Sequence, residues 1–263
     1  MKNEDLKKVK EIELEIMDFF DDFCKSHDLT YYMVYGTLLG AVRHSGFIPW
    51  DDDIDVAMTC EDYLKLLNLE QEISPKYYLQ NVNNTTACTY IFSKIRKKHT
   101  TMVEKELNYL PFKKGINIDI FPLFKYPKSK WGRILFQKRL RIAGLFVNRE
   151  IKPTNFKGKI IYFFLHLFTL KKANKIARNN IDKLLHYNKE FTEYRMVPSE
   201  SLGKDWFKKI ELSFEGRNYT APKGYEKYLE NEYGDYMTLP PVNERYGHGM
   251  GNLIIDYNKD YDE

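Results

Sequence analysis

Four of the five residues from Asp51 to Asp55 are aspartates, with only Ile54 between them. Carboxylates this close repel, since two unit charges about 4 Å apart cost roughly 4 kcal/mol at an effective dielectric near 20. Something must offset that. From Asp53 onward acidic and apolar residues alternate through Val56, which is strand periodicity. On a strand, Asp53 and Asp55 share one face about 7 Å apart, while Ile54 and Val56 anchor the other. Paired oxygen ligands on a rigid element suit one or two hard cations, Mg²⁺ or Mn²⁺. A calcium loop of the EF-hand type is excluded because its sixth and twelfth positions, which need Gly and Glu, are here Val56 and Asp62.

Two further features complete a phosphoryl-transfer pattern. Asp119 is the polar residue inside Ile118-Asp119-Ile120, and with Asp53 and Asp55 it supplies the third carboxylate of a two-cation site. Gly36-Thr37 opens an apolar run just before the acidic strand, and free N–H groups at a helix start bind phosphate oxygens. Each feature alone has a plain structural reading: a solvated acidic turn, an edge strand facing water, an ordinary turn. Their combination raises the catalytic reading. Arg43, Lys94 and Arg96 are candidate diphosphate contacts, because guanidinium forks match phosphate geometry. His44 is a candidate substrate contact, with a structural role as its alternative.

The elements that must position these residues follow from pattern. Val9, Ile12, Ile16, Phe19 and Phe23 recur at helical steps, so residues 4 to 26 read as an amphipathic helix. Residues 30 to 35 are β-branched or aromatic apart from Met33 and stop at Gly36, which reads as a strand. Thr37 is expected to cap a short helix ending near Ser45-Gly46. Residues 61 to 69 read as a helix, 89 to 96 as a strand, and 116 to 120 as a strand that Phe121-Pro122 ends. Helical patterns run from Trp131 to Asn148 and from Lys157 to Tyr187, with Pro153 between them. A late strand is expected at 206 to 214, and a helix from Tyr225 to Tyr233 that Gly234 terminates.

Composition bounds the rest. The 263 residues, 43% hydrophobic and 30% charged, describe a folded globular protein rather than a disordered or fibrous one. Cys24, Cys60 and Cys88 are odd in number and far apart, so neither a disulfide framework nor a cysteine zinc site is indicated. Residues 1 to 20 lack the apolar run of a secretory signal. The longest apolar stretch, Ile160 to Leu170, is shorter than the roughly 20 residues a membrane span needs. A cytoplasmic location is expected, with the sequons at Asn83, Asn84 and Asn218 idle. Between Lys128 and Asn180 stand fourteen Lys or Arg against Glu150 alone. That segment carries +13, leaving −9 for the rest of a chain whose net charge is +4.

The 22-residue run from Tyr35 to Val56, with its Gly-Thr-Leu-Leu-Gly and Pro-Trp-Asp-Asp-Asp-Ile-Asp segments, resembles the signature of the LicD family. These are phosphorylcholine transferases of bacterial surface glycans, to which fukutin-type ribitol-phosphate transferases are related. The resemblance extends through Phe92-Ser-Lys-Ile-Arg96, Asn117-Ile-Asp-Ile-Phe-Pro-Leu123 and the segment from Tyr228 to Pro241. It is weakest in the basic segment. It implies an α+β fold of nucleotidyltransferase type: a mixed sheet flanked by helices, with a basic helical insertion. In that frame Gly36-Thr37 is the phosphate-side turn, and Asp53, Asp55 and Asp119 are the metal-binding and catalytic carboxylates. Asp119 either helps deprotonate the acceptor or completes the second metal position. Tyr233, Tyr236 and the Pro240-Pro241 corner are expected to support the fold from behind the site, with an aromatic rim for choline by cation–π contact as the alternative.

The resemblance also implies a CDP-activated alcohol such as CDP-choline as donor, release of CMP, and a hydroxyl of a cell-surface glycan or its lipid-linked precursor as acceptor. The expected organisation is a catalytic core over 1–127, the basic helical insertion over 128–190, and a segment over 191–263 that packs back on the core. One rival is a sugar-nucleotide glycosyltransferase, in which an Asp-x-Asp also holds a metal under a diphosphate. The others are a catalytically silent scaffold and a non-catalytic protein whose basic helices bind anionic lipid or nucleic acid. Within the enzyme reading no nucleic-acid partner is expected. Trp131, Ile134, Leu135, Phe136, Leu140, Ile142, Leu145 and Phe146 interleave with Arg and Lys, which suits peripheral contact with an anionic inner-membrane surface. A core-facing helix with a solvated basic face is the alternative.

Overall fold

A computed structural model describes residues 3–196, 201–202, 204–247 and 252–260. In chain order the helices and strands are α1 (Asn3–Ser26), β1 (Tyr31–Met33), α2 (Tyr35–His44), β2 (Asp55–Thr59), α3 (Cys60–Asn68), β3 (Tyr77–Gln80), β4 (Ser93–Lys97), β5 (Thr101–Glu104), β6 (Asn117–Pro127), α4 (Lys130–Val147), α5 (Phe156–His166), α6 (Leu170–Leu185), β7 (Phe191–Arg195), β8 (Ser201–Leu202), β9 (Lys209–Phe214), β10 (Arg217–Pro222), α7 (Tyr225–Tyr233) and β11 (Leu253–Asp256). The central sheet runs β1-β2-β6-β4-β3, with β7 and β8 extending from β6. Strands β2 and β6 are parallel, whereas β1, β4 and β7 pair antiparallel to their neighbours. This is a mixed α/β fold with a central mixed sheet flanked by helices, of the nucleotidyltransferase-like architecture expected.

Alternation along the strands gives the sheet two unlike faces. Val56, Ile95, Ile118 and Ile120 are fully buried and meet α1 and α3, which pack on β2, β4 and β6. Helix α1 presents Val9, Ile16, Met17 and Phe20, all buried. Its Glu15 accepts hydrogen bonds from Tyr77 Oη and Lys97 Nζ at 2.8 and 2.6 Å. From α3, Tyr63 shares a 2.5 Å hydrogen bond with Ser93 under the sheet. The opposite face carries the polar residues of β2, β6, β4 and β3.

The strands expected at 30 to 35, 89 to 96 and 206 to 214 are shorter, at Tyr31–Met33, Ser93–Lys97 and Lys209–Phe214. Two larger boundaries also differ from the sequence expectation. Pro122 does not end β6, which runs on to Pro127. Pairing with β4 ends at Ile120 and pairing with β7 begins at Phe124, so on that side the missing N–H of Pro122 falls in a gap between partners. The helical pattern from Lys157 to Tyr187 is two helices, because Thr169 caps α6 by accepting from the Lys172 N–H. Helices α4 and α6 pack on each other and against β6. The β9–β10 hairpin turns at Glu215-Gly216, both at positive φ, as a two-residue turn matched to strand twist requires. Its Glu215 reaches back to the end of α2, donating its N–H to Ser45 O and accepting from the Phe47 N–H. Among the described residues no helix is long and apolar enough to cross a membrane.

Candidate active site

Register builds the site. Asp55 on β2 is the ladder partner of Asp119 on β6, and Asp119 is the partner of Lys94 on β4. Residues in register point to the same face of a sheet, so an acid, an acid and a base form a row across three strands. Lys94 Nζ donates to Asp119 Oδ1 at 2.5 Å, and Asn117 Nδ2 donates to the same oxygen at 2.6 Å. Asn117 in turn accepts from Arg96 Nη1 at 2.6 Å.

Asp53 lies just before β2 begins, in the lead-in that the Asp119 N–H joins by donating to Ile54 O at 2.9 Å. It lines a cavity of about 350 Å³ together with Asp119, Lys94 and the rings of Tyr90, Phe92 and Phe112. Burial, then the charge of Asp51 and next that of Asp119, pushes the Asp53 carboxyl well above the usual carboxylate range. Burial, then Asp53 and Asp119, does the same to Asp55. Lys94 opposes both shifts without cancelling them.

Helix α2 begins one turn from these acids. Val34 rather than Thr37 stands at its N-cap, so the expected cap is corrected. Thr37 lies inside the first turn, buried, and its Oγ1 accepts the Asp55 N–H at 2.8 Å. The threonine therefore fixes the strand start rather than the helix start. A Cβ on Gly36 would overlap the Asp51 carboxylate, so glycine lets Asp51 approach the positive end of the helix. Tyr35, at φ 46°, takes a left-handed conformation that costs about 1–2 kcal/mol in a non-glycine residue. Its N–H donates to Tyr228 Oη on α7 at 3.2 Å. The C-terminal segment thus holds the first turn of α2 in place.

The remaining candidates divide. Lys94 faces the cavity. Arg96 also touches it but is buried, donating to Gln80 Oε1 at 2.5 Å, Gly115 O at 2.6 Å, Asn117 and, at 3.5 Å, Tyr90 Oη; it braces the row from within. Arg43 donates to Tyr236 O at 2.8 Å and to His44 Nε2 at 3.0 Å, so its guanidinium ties α2 to the C-terminal segment. Burial, followed by Arg43 and Lys10, lowers the His44 pKa. A neutral ring fits its role as acceptor.

Sequence reasoning passed over Glu13 because it sits in an otherwise apolar helix stripe. It is fully buried, and among the described residues neither carboxyl oxygen has a hydrogen-bond partner. Burial, then Asp53, Asp52, Asp119 and Asp51, pushes its carboxyl well above the ordinary range. One turn earlier, Lys10 donates to Ile48 O and Pro49 O at 3.0 and 3.2 Å. The one available signal is a charged residue, Glu13, at a helical position within the apolar spacing of Val9, Ile16 and Phe20. Phe112 and Leu253, which close the cavity, carry no sequence signal that assigns them there.

Among the described residues no group of three or more His, Cys, Asp or Glu forms a ready metal cage. The donor set nevertheless fits a hard divalent cation: only oxygen ligands, with the buried Asp55 and the half-buried Asp53, whose ionised forms are penalised by desolvation and by neighbouring carboxylates.

A mixed sheet with carboxylates in register on adjacent strands, beside a glycine-bearing helix start, is consistent with a nucleotidyltransferase-type domain. Residues 28–156 match the family model of the LicD/FKTN/FKRP nucleotidyltransferase domain, and the chain is related to the LicD family through this domain. It is 28% identical over 271 residues to lipopolysaccharide cholinephosphotransferase LicD of Haemophilus influenzae, covering 97% of this chain and 100% of that protein. An uncharacterised protein of Rickettsia prowazekii is 30% identical over 128 residues, 46% of this chain and 47% of that one. The relationship supports transferase activity of a phosphotransfer type.

Proposed function

We propose that the protein transfers a phosphoalcohol of the phosphocholine type from a CDP-activated donor to a hydroxyl of a cell-surface glycan or its lipid-linked precursor, releasing CMP. The observation that carries this reading is the row Asp55–Asp119–Lys94, with Asp53 beside it at the aromatic-walled cavity. The printed name of the Haemophilus relative supports the cholinephosphate part. Asp53, Asp55 and Asp119 would hold Mg²⁺ or Mn²⁺, which when bound would neutralise charge on the donor diphosphate.

The chain's own groups do the positioning. Lys94 brings a cation to the cavity and lies 5.2 and 5.3 Å from the ring centres of Tyr90 and Phe92, where it can meet a phosphate oxygen. Those rings and Phe112 offer flat apolar walls for a base or an alkyl ammonium group. The first turn of α2, with Gly36 and Thr37, directs its positive end toward the same acids. In the transfer, the acceptor oxygen bonds to the distal phosphorus as the bond to the CMP oxygen breaks, and the acceptor proton leaves to a base. Asp119, which already accepts two hydrogen bonds on Oδ1, would either take that proton or complete the metal site.

The experiment is incubation with Mg²⁺ and a panel of CDP-alcohols, with free and lipid-linked glycans as acceptors, following the nucleotide released. Acceptor-dependent CMP supports the reading. Release of a nucleoside diphosphate from a sugar nucleotide would replace it with the glycosyltransferase reading, and no turnover with any donor would remove it.

A further inference from the structure

Helix α5 buries none of its side chains, although it is the most apolar helix of the chain. Phe156, Phe163, Phe164 and Leu167 are 76%, 62%, 58% and 68% exposed, and Ile160 and Ile161 are exposed beside them. Helices in globular proteins are ordinarily stabilised by packing an apolar face, and this one is held by polar anchors instead. Asn155 caps its N-terminus by accepting the Gly158 N–H at 2.7 Å. At its other end the buried Arg149 donates to Leu165 O and Phe168 O at 3.2 and 3.0 Å. The preceding loop is tied by Tyr109 Oη, which donates to Glu150 O and accepts from the Lys152 N–H. The helix is fixed in place with Tyr162 and Leu165 half-buried and its other apolar side chains left in the open.

Its charge surroundings are one-sided. From Ile151 to Ile181 the chain has seven Lys or Arg and no Asp or Glu. Lys157 and Lys159 on α5 and Lys171 and Lys172 at the start of α6 are exposed. An eleven-residue helix spans only about 16 Å, half of a hydrocarbon core of about 30 Å. It is too short to cross a bilayer, yet has the composition of a helix that lies in the interface, with aromatic and aliphatic residues on the acyl side and lysines at the headgroups.

We infer that α5 is a monotopic membrane anchor that seats the protein on an anionic lipid surface. This moves the membrane contact from α4, which packs Phe136, Ala143 and Val147 into the core, to α5. A contiguous exposed apolar patch marks an interaction surface, and the uniformly basic flanks select anionic lipid over an uncharged partner. The inference is independent of the donor chemistry, because it is read without substrate.

The test is sedimentation of the full chain with vesicles of phosphatidylcholine alone and of phosphatidylcholine and phosphatidylglycerol in equal parts, at low and high salt. The expected result is binding to the mixed vesicles, weaker by about tenfold or more on neutral vesicles and in high salt. Phe163→Glu with Phe164→Glu, at exposed positions outside the buried core whose rings contact each other, should keep the wild-type thermal melt and lose binding by about tenfold or more. Lys157→Glu with Lys159→Glu should weaken binding to the mixed vesicles while leaving any neutral-vesicle binding unchanged. Wild-type protein that binds neither vesicle or both equally overturns the proposal, as does undiminished binding by a folded phenylalanine variant. A solution dimer that this variant dissociates, in protein that binds no vesicle, would make α5 a protein interface instead.

Discussion

Asp55 and Asp119 stand opposite each other in the parallel ladder of β2 and β6, which places two carboxylates on neighbouring strands about 4.8 Å apart in the backbone. Lys94 continues the row from the other side of β6 and bonds Asp119 directly. The arrangement stores repulsion at one end and relieves it at the other.

Replacing Asp55, or Asp53 beside it, by the amide should therefore separate function from stability. Asp55→Asn and Asp53→Asn are expected to abolish transferase turnover while leaving the metal-free melting temperature unchanged or raised, by on the order of 1 kcal/mol in stability. CMP release and a thermal melt in chelator check both halves. Full turnover by either variant would refute the carboxylate assignment.

The raised carboxyls also set a pH dependence. Glu13, Asp53 and Asp55 hold protons in the folded state at pH values where the unfolded chain, near its ordinary pKa of about 4, has released them. The folded state then binds more protons, so each group makes stability fall as pH rises from about 4 through its folded pKa. Glu13→Gln is expected to flatten the decline in melting temperature between about pH 5 and pH 8 measured in chelator. An unchanged slope would show that Glu13 does not titrate differently on folding.

Divalent cation should act in the opposite direction. A ligand that binds only the folded state at a hundredfold its dissociation constant adds about 2.7 kcal/mol. Mg²⁺ or Mn²⁺ is therefore expected to raise the melting temperature of the wild type and to have little effect on Asp55→Asn, as thermal melts over a cation titration would show. Equal shifts in both proteins would place the cation elsewhere.

Thr37 gives a test of the α2–β2 junction. Its Oγ1 accepts the buried N–H of Asp55, so Thr37→Val leaves that donor unpaired at a cost of about 1–3 kcal/mol. Thr37→Ser keeps the oxygen and should retain most of both stability and turnover. Denaturant melts of the two variants decide it, and equal losses would mean that the methyl group, not the hydrogen bond, matters.

Gly36→Ala introduces a Cβ where the Asp51 carboxylate lies. The side chain of Asp51, and the acidic loop with it, must move, so turnover should fall by about tenfold or more while stability drops by about 1–3 kcal/mol. Far-ultraviolet circular dichroism should stay unchanged, since alanine is a good helix residue. Undiminished turnover would detach the Gly36 contact from the chemistry.

Much of this molecule is written locally. The apolar spacing in residues 4 to 26 marks α1, Gly234 marks the end of α7, and the alternation after Asp53 marks β2 and its two faces. Each depends on a period of two or 3.6 residues within one segment, so each is legible without knowing any partner. The acids that meet at the site were legible for the same reason: they interrupt an apolar pattern.

Which residues stand beside one another was decided by long-range pairing. Only the register of three strands sets Asp55, Asp119 and Lys94 in a row, and only the gap between β4 and β7 lets Pro122 remain in a strand. Arg96, as cationic in sequence as Lys94, is enclosed by Gln80, Asn117 and Gly115, whereas Lys94 reaches Asp119. Glu13 is a lone charge in the apolar stripe of α1, and only packing brings it near Asp51, Asp52, Asp53 and Asp119. Sequence fixes what a side chain can do, but burial and neighbouring charge arise from contacts between distant segments, and these determine what it does.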